Sequence, residues 1–291
     1  MFTATLIAGN GLPVGEVSAA VDRLTMAGCA PGAAVWIDAG EAVDLPFGQE
    51  PAAARTALEG HGFDVVVQPV AARAKALLVA DMDSTMITVE CIDELADYAG
   101  IKAEVAEVTE RAMRGELDFE GALDARVALL AGLDESAIDR CLAERVTITP
   151  GARELVRTMR ARGALAVLVS GGFTRFAEPV AAEIGFDRAI ANRLLIENGR
   201  LTGKVARPIV GAATKEETLR STTAERGLAS AETLAVGDGA NDLPMIRAAG
   251  LGVAYRAKPI VAAAAAARIE HGDLTALLWA QGIARRDWVT A

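Results

Sequence analysis

Two patterns of apolar spacing alternate along the chain. Short unbroken apolar runs, "ALLVA" (76–80), "LAVLVS" (165–170), "TLAVG" (233–237) and "LGVAY" (251–255), are separated by stretches with helical spacing, such as "PGARELVRTMRARG" (150–163). Runs apolar at every position suit strands covered on both faces, so they predict a parallel sheet flanked by helices. The first 70 residues differ. "TATLIAG", "GAAVWID" and "FDVVVQPV" predict strands, while "GEVSAAVDRLTMAG" and "PAAARTALEGHG" predict helices, which together make a small α+β unit. "AARAK" (71–75) reads as a connector. Between the first two apolar runs lie nearly sixty residues of mostly helical pattern, far more than a crossover helix needs. They predict a helical insertion at about 92–149, perched over the strand ends. "RLLIENGRLTGKV" predicts a hairpin turning at Asn198-Gly199, and "VAAAAAARIEHGD" (261–273) an alanine-rich helix. The expected architecture is therefore α/β: a Rossmann-like parallel sheet with a helical cap over 76–291, preceded by an α+β unit over 1–70.

The length of 291 residues accommodates two such units, and 52% hydrophobic residues suffice for a sizeable core. A net charge of -10 argues against nucleic acid or an anionic membrane as partner. Cys29, Cys91 and Cys141 show no paired spacing and read as free thiols in a reducing cytoplasm. The N-terminus lacks the basic and long apolar regions of a signal peptide, and Arg268 and Glu270 interrupt the longest apolar run before it reaches a membrane span.

Several hydrolytic chemistries fail by counting. A thiolate phosphatase loop needs Arg six residues after its Cys, and those positions hold Val35, Asp97 and Thr147. Neither His61 nor His271 sits in a phosphohistidine-type setting, and Ser170 has Leu168 where a nucleophile elbow needs Gly. "GRLTGKV" is one residue short of a P-loop, and "DMDSTM" lacks the Gly and Glu of a calcium loop. What remains gathers at strand ends, where open α/β sheets bind ligands. One end carries Asp81 and Asp83, another Ser170-Gly171-Gly172, and a third Asp238, Asn241 and Asp242. Carboxylates converging from two strands repel, and a hard divalent cation such as magnesium would resolve the repulsion. "TKEE" reads as a capping box with Thr214 as N-cap, which puts Lys215 in a first helical turn, where the dipole disfavours a cation. A pocket holding carboxylates and a phosphate accounts for that lysine, although a solvated surface lysine is the plainer alternative. Ser170 and its glycines offer a hydroxyl and accessible amides to a phosphate, or form an ordinary turn.

"DMDST", the strand-final Ser with two glycines, the distal Lys and "GDGANDLPM", in that order, resemble the haloacid dehalogenase-like phosphohydrolases. "DMDSTMITVECIDELA" and "FEGALDARVALLAGL" resemble the members of that family acting on phosphoserine. The resemblance covers about 76–290, and the first 70 residues resemble, in pattern, ACT-like amino-acid-binding modules. It implies Mg2+-dependent hydrolysis of O-phosphoserine, the last step of serine biosynthesis, with Asp81 as nucleophile and Asp83 as acid and base. The metal would lie on Asp81, the Asp83 carbonyl and Asp238, with Asp242 in support. Lys215, Ser170, Gly171, Gly172 and Asn241 would contact phosphate, Glu90 and Arg126 the amino and carboxyl groups, and Met113 and Phe119 an apolar wall of the cap. Serine as a regulatory ligand and a homodimer are further expectations. A relative acting on another small phosphomonoester or passing the phosphoryl group to an acceptor alcohol, and an amino-acid-sensing regulator, stay open as alternatives.

Overall fold

The computed structural model describes residues 1–9 and 11–290, apart from the side chain of Met113. The chain begins with β1 (Phe2–Ile7), α1 (Val14–Met26), β2 (Val35–Asp38), β3 (Ala42–Phe47), α2 (Pro51–Leu58) and β4 (Asp64–Pro69). All pairings among these four strands are antiparallel, in the βαββαβ order of a split βαβ unit. Then come β5 (Leu77–Ala80) and four helices, α3 (Cys91–Tyr98), α4 (Lys102–Met113), α5 (Phe119–Leu129) and α6 (Ser136–Arg145). The chain returns through α7 (Ala152–Ala161), β6 (Leu165–Phe173), α8 (Thr174–Ile184) and β7 (Arg188–Asn192), then the pair β8 (Leu194–Glu197) and β9 (Arg200–Val205). It closes with α9 (Ala212–Glu225), β10 (Thr233–Gly237), α10 (Leu243–Ala248), β11 (Leu251–Tyr255), α11 (Pro259–Ala264), β12 (Ala267–Ile269) and α12 (Ala276–Ala280).

Ten strands form one sheet in the order β2-β3-β1-β4-β12-β11-β10-β5-β6-β7, with β8 and β9 paired apart from it. From β12 to β7 every pairing is parallel. A single antiparallel pair, Arg268 to Val65, links the two halves. In this parallel half the helical crossovers cover both faces, so β5, β10 and β11 are buried at every position. β5 and β10 are adjacent and the chain leaves them in opposite directions, so the crevice at their carboxyl ends is a topological switch point.

One face of the N-terminal strands packs with α1 and α2 through Leu6, Val17, Leu24, Leu45 and Leu58. The other face joins the main core, where Ile7, Ala42 and Val66 share a cluster with Leu277 and Ala280. Polar ties reinforce this seam. Arg73 makes a bidentate pair with Asp44 at 2.5 and 2.7 Å and donates to the Ala280 carbonyl at 2.8 Å. Buried Asp64 accepts from the Glu270 and Gly272 amides, each at 2.7 Å. The stretch expected only to connect, 71–75, thus carries a charged cross-tie of the seam.

One strand was missed and two local expectations need correction. "AVDLPF" is a strand, β3, whose Pro46 obscured it; the pairing with β2 runs only over Ala42–Asp44, so no ladder bond to β2 needs a Pro46 N–H. The alanine-rich run is not one helix but α11 followed by β12. Pairing with β11 outweighs alanine's helix propensity there, and the Ala266 amide already donates to Gly252 at 3.0 Å. Helix α9 starts at Ala212 with Gly211 as N-cap and no side-chain cap, so Thr214 and Glu217 form no capping box. Asn198 and Gly199 both have positive φ, +50° and +74°, as a primed hairpin turn requires.

Candidate active site

Strand β5 delivers Asp81 to the crevice, and the Asp81 amide bonds the Val236 carbonyl of β10 at 3.0 Å. The chain then turns tightly. The Met82 carbonyl accepts from Thr85, Met86 and Ile87 amides, and Ser84 takes φ +55°. This turn presents Asp83 beside Asp81. One Asp83 oxygen accepts from the Cys91 amide at the start of α3, at 3.2 Å. Ser84 Oγ donates to Glu90 at 2.7 Å, fixing that carboxylate at the rim.

Lys215 is fully buried, and its Nζ lies 2.5 Å from Asp81 Oδ1 and 2.6 Å from Asp242 Oδ1. The other oxygen of buried Asp242 accepts from the Asp238 and Gly239 amides at 3.2 and 2.9 Å. Asp242 therefore shapes the "GDGAND" turn as well as pairing with the lysine. Gly237 is required there, because a Cβ would fall 2.4 Å from the Asp242 carboxylate. Asp238 is half-buried and accepts from Thr85 Oγ1 at 3.0 Å.

Carboxylate oxygens of Asp81, Asp238 and Asp242 lie within 4.8 Å of one another. Three carboxylates against one ammonium leave two negative charges uncompensated. Burial and this excess charge together raise carboxyl pKa values at the site. Burial, then the charge of Asp242, pushes Asp81 well above the usual carboxylate range against the pull of Lys215. Burial and Asp242 raise Asp238 to about 6. Burial and the Glu90 charge raise Asp83 to about 7. For Lys215, burial opposes the charge, yet Asp81 and Asp242 together outweigh it and hold the ammonium protonated. A hard dication with oxygen ligands fits this donor set and its charge deficit. Asp242, with both oxygens engaged, is suited to support rather than to first contact.

Above the carboxylates opens a cavity of about 540 Å³ that also takes in Glu90, Phe119, Arg126, Gly171, Gly172 and Asn241. Ser170 is fully buried below it, its Oγ accepting from the Gly172 amide at 2.8 Å. A Cβ on Gly172 would sit 2.8 Å from Asp83 Oδ2, and one on Gly171 3.2 Å from the Phe119 ring, so both glycines serve close approach. Arg126 lines the cavity from α5, and its Nε donates to the Ala122 carbonyl of its own helix. Among the described residues no carboxylate lies in ion-pair contact with it, and burial depresses its pKa. The Met113 side chain lies outside the described residues. All other residues singled out by sequence border this cavity or its floor.

Sequence reasoning passed over Thr85, Ser84, Asp93, Asn192 and Lys258. Asp93 and Lys258 line the cavity. Asn192, buried at the end of β7, donates to the Gly171 and Val210 carbonyls at 2.9 and 3.1 Å and so ties the glycine end of β6 to the segment before α9. Thr85 and Ser84 stand inside the quoted motif and were legible there. The Asn192 partners are 18 and 21 residues away, and no local pattern announces them.

A model of the haloacid dehalogenase-like hydrolases matches residues 78–247. A curated phosphoserine phosphatase of Streptomyces coelicolor is 48% identical over 242 residues, covering 82% of this chain and 59% of that protein. The chain thus spans less than two thirds of that relative's length. A solved structure of a probable phosphoserine phosphatase from Vibrio cholerae superposes with TM-score 0.76 at 36% identity, covering 96% of this chain and 88% of the other. A structure described as a phospho-aspartyl intermediate analogue of phosphoserine phosphatase gives TM-score 0.66 at 39% identity, covering 71% and 98%. The ordered strand-end motifs, the carboxylate cluster around Lys215 and these matches lead to one conclusion: the chain belongs to the haloacid dehalogenase-like hydrolase family.

Proposed function

We propose that the protein hydrolyses O-phosphoserine to serine and phosphate, with magnesium, through an aspartyl-phosphate on Asp81. The observation that carries this reading is the cavity's division of charge. Nucleophile and acid candidates lie on the floor, Glu90 is at the rim, and Arg126 on α5 lacks an anionic partner among the described residues. A phosphomonoester carrying an ammonium and a carboxylate matches that division, and a guanidinium binds carboxylate bidentately. The similarity to phosphoserine phosphatases supports the same substrate.

In the first half-reaction an Asp81 oxygen attacks phosphorus, forming a P–O bond while the bond to the seryl oxygen breaks. Asp83, raised to about 7, donates its proton to that leaving oxygen. Water then attacks the same phosphorus, gives a proton to Asp83, and phosphate leaves as the P–O bond to Asp81 breaks. Lys215 holds Asp81 in place and offsets charge, while the Ser170 hydroxyl, Gly171 and Asn241 orient phosphate oxygens. Asp81, the Asp83 carbonyl and Asp238, supported by Asp242, would hold a magnesium ion that screens the anionic nucleophile from the anionic phosphate. Phe119, against Gly171 and Gly211, would give the cavity an apolar wall on the cap side.

We also read the chain as two units, 1–70 and 76–291, with a cap at about 92–149. The βαββαβ order supports an ACT-like first unit. Among the described residues no helix is long and apolar enough to cross a membrane. The test of the activity is phosphate release from O-phosphoserine with and without magnesium. Magnesium-dependent release supports the reading, and absence of release from phosphoserine, with release from other phosphomonoesters, redirects it to another substrate.

A further inference from the structure

The helical insertion is tied to the core at a place remote from its two connecting strands. The loop between α5 and α6 adds to the β8–β9 hairpin through backbone bonds: Gly132 N to Leu201 O at 2.8 Å, Leu201 N to Leu133 O at 2.9 Å, and Glu135 N to Gly199 O at 2.9 Å. Arg200 donates to the Gly132 carbonyl at 2.7 Å. The contact is close enough to demand glycine. Gly203 has φ +75°, and a Cβ there would fall 2.9 Å from Ala131 Cβ and 3.2 Å from the Ala128 carbonyl at the end of α5. Two charged ties flank it. Arg207, just past the hairpin, pairs with Glu120 and Asp124 on α5, and Arg175 of α8 pairs with Glu135 and Asp139 near α6. Helix α4 is different: among the described residues, its side-chain hydrogen bonds and ion pairs stay within 97–116.

We propose that the β8–β9 hairpin is a positioning strut that fixes α5, and with it Arg126, against the core, leaving α4 and its flanking loops as the part that opens for substrate. This rests on the carboxylate-binding role of Arg126 proposed above. Arg126 projects from the same helix whose far side the hairpin and Arg207 grip, so its guanidinium reaches the cavity from a braced platform. Neither Gly203 nor Arg207 lines the cavity; they act through the helix.

The test compares O-phosphoserine with phosphoethanolamine, which lacks the carboxylate, in the full chain with magnesium. Gly203→Ala pushes the hairpin off α5 and should raise the phosphoserine KM about tenfold, since small misplacements of a positioning group are costly. Arg207→Ala, an exposed substitution that leaves the fold intact, should raise it about threefold, because exposed pairs are weak. In both, kcat for phosphoserine and kcat/KM for phosphoethanolamine should change by less than about twofold. Equal losses on the two substrates, or none on either, overturn the proposal. Amide exchange in the wild type supplies a second reading. Gly132, Leu201 and Glu135 amides should be protected far beyond those of α4, and similar protection in both also overturns it. Should the wild-type enzyme not prefer phosphoserine to phosphoethanolamine, the Arg126 reading fails, and exchange alone then decides the strut.

Discussion

Lys215 sits where two carboxylates need it, and its burial makes the arrangement costly to disturb. Asp81→Asn leaves Asp242 as its partner, so the fold should persist by circular dichroism. Turnover should fall by at least about 10³-fold, because the attacking oxygen is gone. Arg126→Ala should cut kcat/KM for phosphoserine at least about tenfold more than for an aryl phosphate, since only the former offers a carboxylate; equal losses would refute that role. Asp83 and Asp238 carry a pH signature. Their folded values, about 7 and about 6, lie above the ordinary 3.8, so the folded state binds these protons more tightly. Their contribution to stability is complete below about pH 4 and is lost as pH rises through about 6 to 7. In metal-free protein, Asp83→Asn should flatten the decline of the thermal midpoint over that range. Magnesium should raise the midpoint more at about pH 8 than at about pH 5, because it binds the ionised cluster. Asp81, Asp83 and Asp238 were legible in sequence because each sits just after an unbroken apolar run. Asn192 was not, since its role depends on bringing β6, β7 and the segment before α9 together.

At the scale of elements, the parallel strands were readable because burial on both faces leaves no polar alternation to confuse. β3 and β12 were not. One contains Pro46, and the other hides in alanines, so both are strands by pairing rather than by propensity. The start of α9 shows the same limit. A capping pattern at Thr214 was present, yet Gly211 ends up as N-cap, and the Phe119 ring lies over it: a Cβ on Gly211 would sit 3.2 Å from that ring. Gly211→Val should therefore disturb cap closure without touching the carboxylates. It should raise KM for phosphoserine while magnesium still lifts the thermal midpoint as in the wild type. Loss of the magnesium effect would contradict that separation.

Across the whole molecule, the N-terminal strands are built into the main core rather than hung from it. Ile7 and Val66 pack with the α12 side chains, and Arg73 and Asp64 close the seam with charge-assisted bonds. Burying one such aliphatic side chain contributes about 1.5–3 kcal/mol, so removing residues 1–70 exposes a face that α12 cannot cover alone. Calorimetry of the full chain should give one transition, and the fragment from residue 71 should be less soluble and melt lower. Two separated transitions would contradict this coupling. The seam itself escaped the sequence, because its contacts join residues about two hundred positions apart. The central claim is that Asp81 transiently carries the phosphoryl group. Acid quenching during turnover of radiolabelled phosphoserine with magnesium, followed by peptide mapping, measures this directly. The label should appear on the peptide containing Asp81 and be absent in Asp81→Asn. Label on another residue, or steady-state turnover with no labelled protein even under the fastest quench, would contradict the account.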